Sequence, residues 1–250
     1  MLEVCNVDKS YRSLDIFSGK KKQILHQVSF NINEGECLGI IGESGSGKST
    51  LGRMVLGIER PDRGEVLLDK VNVVRRDARK GKITAVFQDY TSSIDPYYTV
   101  YATIEEGFLI MDKKPGKDEM RKMVTDLLKE VGLSEEYLWK FPHELSGGEA
   151  QRVCIARAIA TDPRLILLDE AISSLDASVA YQILVLLKEL KEKKNVSFLF
   201  ISHYIQAVAF LCDRVAFFND GRILEIVDVG QIGQVKDEYS KKLLASVITL

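Results

Sequence analysis

The stretch from Gly42 to Thr50, Gly-Glu-Ser-Gly-Ser-Gly-Lys-Ser-Thr, constrains this chain more than any other. It follows the apolar run Glu36 to Ile41 and precedes Ser49 to Leu56, a segment with helical spacing. Gly42, Gly47, Lys48 and Ser49 match G-x-x-x-x-G-K-S, a loop whose glycines let backbone N–H groups close around phosphate oxygens at a helix N-terminus. The residues expected to touch a nucleotide are therefore Gly42, Glu43, Ser44, Gly45, Ser46, Gly47, Lys48, Ser49 and Thr50. Lys48 is placed to reach the β- and γ-phosphates, and the Ser49 hydroxyl to ligate Mg²⁺. A strand, a phosphate-binding loop and a helix in that order demand an α/β core.

Two further stretches complete a pattern. Leu165 to Leu168 is an uninterrupted apolar run ending in Asp169-Glu170. Alone, such a run reads as a strand entering a surface turn. Beside a phosphate-binding loop, the first acid is placed to hold Mg²⁺ and the second to polarise an attacking water. Between the two lies Leu145-Ser146-Gly147-Gly148-Glu149, which opens a helix candidate, Glu149 to Ala160.

Lys and Arg total 34 against 36 Asp and Glu, so charge gives no case for a nucleic-acid partner. The basic run Arg75-Arg76 and Arg79-Lys80 reads as a solvated loop. Cys5, Cys37, Cys154 and Cys212 lack metal-ligand spacing, which fits inert buried thiols in a reducing compartment. Residues 1–20 show no secretory signal pattern. Val196 to Cys212 is free of charged residues, yet it is short and interrupted by Ser202-His203-Tyr204, so a strand, a turn and a helix explain it better than a membrane span. The expectation is a soluble protein whose membrane contact comes through partners.

Strands are expected at Leu2 to Val7, Ile24 to Ile32, Glu36 to Ile41, Glu65 to Leu68 and Ile83 to Phe87. Helical periodicity takes over from about Val100 to Ala160, with a one-sided apolar stripe over Met120 to Val131. Then come strand Leu165 to Leu168, helix Val179 to Glu192, strand Ser197 to Ile201, helix Ile205 to Leu211 and strand Arg214 to Phe218. The fold class is thus α/β: a P-loop NTPase (RecA-like) core over 1–89 and 161–225, with an N-terminal antiparallel β subdomain, an inserted α-helical subdomain at 90–160 and a short tail at 226–250, all within one domain of 250 residues.

With these motifs in this order, the chain resembles an ABC-transporter ATPase over essentially its whole length. The resemblance implies ATP and Mg²⁺ as the bound species. It makes Gln88 the glutamine that senses Mg²⁺ and the attacking water, and Ser146, Gly147 and Gly148 the signature that meets the γ-phosphate on an opposite subunit. It makes Ser173 to Asp176 the D-loop, His203 the switch histidine and Tyr11 the aromatic that stacks on adenine, with Phe17 as the alternative. Glu170, His203 and Gln88 form the expected catalytic set; Ser49, Gln88 and Asp169 form the expected metal set. Departures are Ala171-Ile172 for Pro-Thr, Tyr204 for the Asp after the histidine, and Ala150 for a polar residue. None removes a phosphate, magnesium or water ligand.

The signature lies on the helical lobe and is not expected to fold back on its own phosphate loop. Two chains head to tail close both sites, so the implied partner is a homologous ATPase, in a heterodimer or a homodimer. Two transmembrane permease subunits complete the assembly, and an extracytoplasmic substrate-binding protein acts indirectly. Val86 to Asp89 with Ser92-Ser93 and Asp95-Pro96 is similar to a block of bacterial peptide and nickel importers, and Glu238 to Leu244 resembles the end of that group's ATPases before their longer extension. Arg152-Val153-Cys154 and Asp169 to Ser173 lean toward the nickel branch. A DNA-repair relative would need a long coiled coil and a translation-associated one two ATPase halves; an exporter or a regulator stays open as an alternative. The expected location is the cytoplasmic face of a bacterial membrane.

Overall fold

In the computed structural model, residues 1–12, 21–89, 93–110 and 115–248 are described. Phe17 and Ser92 therefore lie outside the described residues. The chain opens with β1 (Leu2–Arg12), β2 (Lys21–Ile32), β3 (Cys37–Ile41), α1 (Lys48–Val55), β4 (Arg63–Leu68), β5 (Val71–Asn72) and α2 (Arg76–Arg79). It continues with β6 (Ile83–Phe87), α3 (Val100–Glu105), α4 (Lys117–Glu130), α5 (Gly147–Ile159), β7 (Leu165–Asp169) and α6 (Ala177–Lys194). It ends with β8 (Ser197–Ile201), α7 (Ile205–Leu211), β9 (Arg214–Asn219), β10 (Arg222–Asp228) and α8 (Glu238–Ile248). Two compact units result, one from Met1–Arg79 with Ser197–Leu250, the other from Lys80–Val196.

In the first unit β2, β1, β4 and β5 form an antiparallel sheet in that order. Leu2 and Val4 of β1 and Val28, Phe30 and Ile32 of β2 turn inward and are buried, as period-two alternation requires, while bulges bring Val7 and Leu25 into the same core. β1 runs five residues beyond the expected Val7. The cause is bulging: register shifts fall between Val4 and Val7 and between Val7 and Lys9, with Asn6 at φ 46°. Those extra residues let the segment Lys9 to Arg12 keep pairing with β2 although its alternation is broken. A second set, β10-β9-β3-β8, places β3 between the parallel neighbours β9 and β8. Every residue of β3 and β8 is buried, and apart from Ser197 at the start of β8 neither strand carries a polar side chain.

β10 and α8 were not expected from sequence. The signal for β10 was present: Asp220-Gly221 at φ 44° and 73° forms the two-residue turn that joins β9 to β10, with Arg222 opposite Asn219. The basic run also needs correction. Arg79 is not solvated; its guanidinium donates to the carbonyls of Gly57, Val73 and Val74, closing the turn after α1. Val196 to Cys212 resolves into β8 and α7, and no helix among the described residues is long and apolar enough to cross a membrane.

The second unit carries β6 and β7 as a parallel pair, with α5 packed against α3, α4 and α6. α5 buries Ala150, Gln151, Val153, Cys154, Ile155, Ala156, Ala158 and Ile159, nearly its full circumference. A helix apolar on most sides belongs at the centre of its unit. The four cysteines form no disulfide, and the buried Cys37 thiol donates to Cys212 Sγ at 3.3 Å. Cys5 is only half-buried, whereas burial pushes the Cys154 thiol up to about 11.

Candidate nucleotide site

The phosphate loop leaves β3 against β9. A Cβ on Gly42 would sit 1.9 Å from the Phe218 carbonyl oxygen, so only glycine fits. Gly47, at φ 111°, is the N-cap of α1, a left-handed conformation that a side chain disfavours. The first turn of α1 holds no acid, leaving its N–H groups and positive dipole end facing the loop. Lys48 is buried and donates from Nζ to the carbonyls of Gly42 and Glu43, both at 2.7 Å. The β9–β10 turn clips the loop through Gly221 N–H to the Ser46 carbonyl, 3.0 Å. Ser46 Oγ is buried with no hydrogen-bond partner. Glu43, Ser44 and Gly45 are exposed between the buried Gly42 and Lys48. A mouth open to solvent, a lysine, a helix N-terminus and an orphaned hydroxyl fit a nucleotide phosphate chain.

The described residues show no cluster of three or more His, Cys, Asp or Glu able to hold a metal. The exposed Ser49 offers a hydroxyl at the start of α1, a donor suited to sharing a hard cation with phosphate oxygens.

Tyr11 lies near the end of β1, half-buried. Its hydroxyl donates to Glu59, which takes Arg53 Nε at 2.7 Å; Arg53 in turn reaches Thr50 Oγ1 at 3.1 Å. The aromatic is thereby wired to the helix that carries the phosphate loop. Burial pushes the Glu59 carboxyl up, but the hydrogen bonds from Tyr11 and Arg53 with the charges of Arg53 and Lys9 outweigh it and hold it below the usual range.

His203 follows β8, and Ile201 pairs beside Ile40 of β3. The histidine and the phosphate loop thus leave adjacent parallel strands at the same end. His203 is exposed and its ring lies 4.0 Å from that of Tyr204, centre to centre. The buried Ser202 accepts the Tyr204 N–H at 3.0 Å and fixes the turn.

In the second unit Phe87 pairs with Asp169, so Gln88 and Glu170 leave β6 and β7 side by side. Glu170 adopts φ 53°, unusual for a residue with a long side chain. Ser173 secures that turn by donating N–H at 3.1 Å and hydroxyl at 2.9 Å to the Glu170 carbonyl. Ser174 Oγ donates to the Gln88 carbonyl at 3.3 Å. Asp176 caps α6, accepting from the N–H groups of Val179 and Ser178 and from the Ser178 hydroxyl. Those hydrogen bonds, that of Val179 first, hold its carboxyl below the usual range.

Ser146 is the exposed N-cap of α5 and forms a reciprocal box with Glu149: the Ser146 N–H donates to Glu149 at 2.7 Å, and the Glu149 N–H to Ser146 Oγ at 3.4 Å. Tyr137 donates its hydroxyl to the same carboxylate. A Cβ on Gly148 would approach Val179 Cγ1 to 2.4 Å, so glycine lets α5 and α6 meet. Gln151, buried, donates its amide to the Ala171 carbonyl at 2.7 Å and ties α5 to the turn after β7.

Sequence reasoning missed Arg53, Glu59, Gln151 and Tyr239, whose hydroxyl accepts the Glu43 N–H. Tyr239 and Gln151 bond backbone atoms far along the chain, and Arg53 and Glu59 meet Tyr11, more than forty residues away. The Ser-x-x-Glu spacing of Ser146 and Glu149 was a readable capping signal.

Fold and loop chemistry together define an ATP-binding P-loop ATPase cassette. The family model described as "ABC transporter" matches residues 25–173, and the chain belongs to that family. It is 47% identical over 244 residues to the metal-staphylopine import system ATP-binding protein CntF of Staphylococcus aureus (strain Mu50), covering 98% of each chain. It is 39% identical to the oligopeptide transport ATP-binding protein OppF of Bacillus subtilis, covering 88% of this chain and 74% of that one. Among solved structures, the ATP-binding cassette MJ0796, a dimer in a post-hydrolysis state bound to ADP and Pi, superposes with a TM-score of 0.81 at 31% identity, covering 92% of this chain and 99% of the other. CbiO1 from Clostridium perfringens, part of the transporter complex cbiONQ, gives 0.80 at 28% identity, covering 98% and 93%.

Proposed function

We propose that this chain is the energy-coupling ATPase of a bacterial importer of the peptide and nickel group, whose favoured cargo is nickel or a metal complex. The single observation that carries the reading is the 47% identity, over 98% of both chains, to the ATP-binding protein of a metal-staphylopine import system. An ATPase subunit does not touch cargo, so that inference rests on likeness of the whole chain and not on any residue here. An oligopeptide importer is the second reading, favoured by the 39% identity to OppF.

Gly42 to Thr50 binds the phosphates, Tyr11 stacks on adenine, and Lys48 transfers its ammonium from the loop carbonyls to the β- and γ-phosphates. Ser49, Gln88 and Asp169 are the residues that would hold Mg²⁺, which would supply charge neutralisation at the phosphates. Glu170 orients the attacking water and His203 stabilises the γ-phosphate as charge develops. Ser146, Gly147 and Gly148, at the N-terminus of α5, serve ATP bound to a second, homologous ATPase subunit. Hydrolysis removes the γ-phosphate and those contacts with it, so the pair opens. Two permease subunits receive that motion, and they hold this chain at the cytoplasmic face of the membrane. A binding protein outside selects the cargo.

Glu170→Gln tests the reading. Turnover is expected to fall about 10²- to 10⁴-fold, the scale of a positioned general base, while ATP binding is retained and a closed dimer accumulates on size exclusion. Unchanged steady-state hydrolysis refutes the assignment. For cargo, deletion of the gene should abolish uptake of a radiolabelled metal–chelator complex; loss of peptide uptake alone would favour the second reading.

A further inference from the structure

The C-terminal tail reaches the phosphate loop at one atom. Tyr239, in the first turn of α8, places its hydroxyl 3.0 Å from the Glu43 N–H and accepts it. Three features seat that tyrosine. Glu225 of β10 accepts the N–H groups of Lys236 and Asp237 at 3.0 and 3.1 Å. Asp237 then caps α8 by accepting from the N–H groups of Tyr239 and Ser240. Ser240 and Val235 are buried on either side of this turn. The tail is thus packed and clamped, and its tyrosine points at the loop.

The contact is specific to one peptide. Gly42 C=O and Glu43 N–H belong to the same planar unit, and the structure holds both ends: Lys48 donates to the carbonyl at 2.7 Å, while Tyr239 receives the amide. Gly42 is packed closely against β9, since an added Cβ would lie 1.9 Å from the Phe218 carbonyl oxygen. When Lys48 turns to phosphate, its hold on the carbonyl is lost. The Gly42–Glu43 peptide could then rotate and aim a carbonyl dipole toward the anion. Tyr239 still grips the N–H and opposes that rotation.

We propose that Tyr239 is a positioning residue for the nucleotide: its hydroxyl fixes the Gly42–Glu43 peptide, so that the C-terminal tail sets the ATP affinity of the phosphate loop. This rests on the phosphate-loop reading of Gly42 to Thr50. It places no chemistry on Tyr239. A pre-ordered loop binds more tightly because less is lost in ordering it, and the hydrolytic step is untouched.

The test uses the full chain carrying Tyr239→Phe, which keeps the ring and removes the acceptor. The Kd and KM for ATP should rise roughly three- to tenfold, the scale of one neutral hydrogen bond, with kcat unchanged. Amide exchange at Glu43, measured without nucleotide, should accelerate by a similar factor. Asp237→Ala, which unseats α8 without touching the loop, should shift KM in the same direction. Lys48→Ala is the reference: it should lose ATP affinity by a larger factor. Lys48→Ala weak in binding with Tyr239→Phe unchanged in KM and in Glu43 exchange overturns the role of Tyr239 alone. A fall in kcat at constant KM in Tyr239→Phe also overturns it. Lys48→Ala that still binds ATP tightly overturns the phosphate-loop reading and this inference with it.

Discussion

The phosphate loop and the signature loop are built alike and finished differently. Each opens a helix with glycines and small polar residues, α1 in one unit and α5 in the other. Around Gly42 to Lys48 the unit closes in: Phe218 abuts Gly42, Gly221 clips Ser46, Tyr239 takes the Glu43 amide and Lys48 spans the loop. Around Ser146 the stabilisation is local, a capping box one turn long, and the serine faces solvent. A loop that must grip an anion by itself needs its backbone fixed from several sides. One that meets a ligand held elsewhere needs only to be presented. The difference fits the proposed division of labour, in which one loop grips the phosphates and the other is presented to ATP on a second subunit.

The largest effect expected from breaking this comparison is at Gly42. Gly42→Ala forces a methyl into a backbone oxygen at 1.9 Å, and neither strand can yield cheaply. It should destabilise the first unit by about 3 kcal/mol, the upper end of overpacking costs, and abolish ATP binding; a normal melting temperature with normal affinity would show that the loop is not jammed against β9. Gly148→Val comes next. Its Cβ meets a side-chain methyl of Val179, which can move, so the cost should be about 1–3 kcal/mol. ATP binding by the variant chain should survive, while hydrolysis of ATP bound to a wild-type partner falls in mixed assemblies. Weakened binding in the variant itself would erase the distinction between the loops.

The smallest effect is the pH response of the signature cap. The hydrogen bond from Tyr137, then those from Ser146, hold the Glu149 carboxyl below its ordinary range. A lowered folded pKa means that the ionised form is favoured by folding. Its contribution is complete above the ordinary glutamate range and is lost as pH falls through and below that range. Tyr137→Phe should therefore lower the melting temperature slightly at neutral pH, and the gap from wild type should narrow toward acid. A gap that is flat from neutral to acid would show that Tyr137 does not act through the Glu149 carboxylate.

Much of the site was legible before the fold. G-x-x-x-x-G-K-S fixed the loop because its chemistry needs those residue types at that spacing, and Asp169-Glu170 and His203 lie at strand ends that apolar runs already marked. β6, β8 and α7 fall on the expected residues, since each is a short run bounded by turns. The misses share one cause. β1 was expected to stop at Val7 because bulges break the two-residue period that reveals a strand. Arg79 looked solvated because its three carbonyl partners leave no trace in side-chain pattern. Tyr239 is 196 residues from the amide it holds.

The sequence by itself determined the class of reaction, ATP hydrolysis by a P-loop cassette, and it placed the proposed phosphate loop, the acids after β7 and the loop that opens α5. These follow from side-chain chemistry and from spacing along one chain. Tertiary structure alone decided how those residues are held. It joined Tyr11 to Thr50 through Arg53, Gln151 to the turn after Glu170, and the tail to the phosphate loop through Tyr239. The physical reason is that backbone N–H and C=O groups are the same in every residue, so a partner that arrives from far along the chain becomes visible only when folding sets it within about 3 Å of its acceptor.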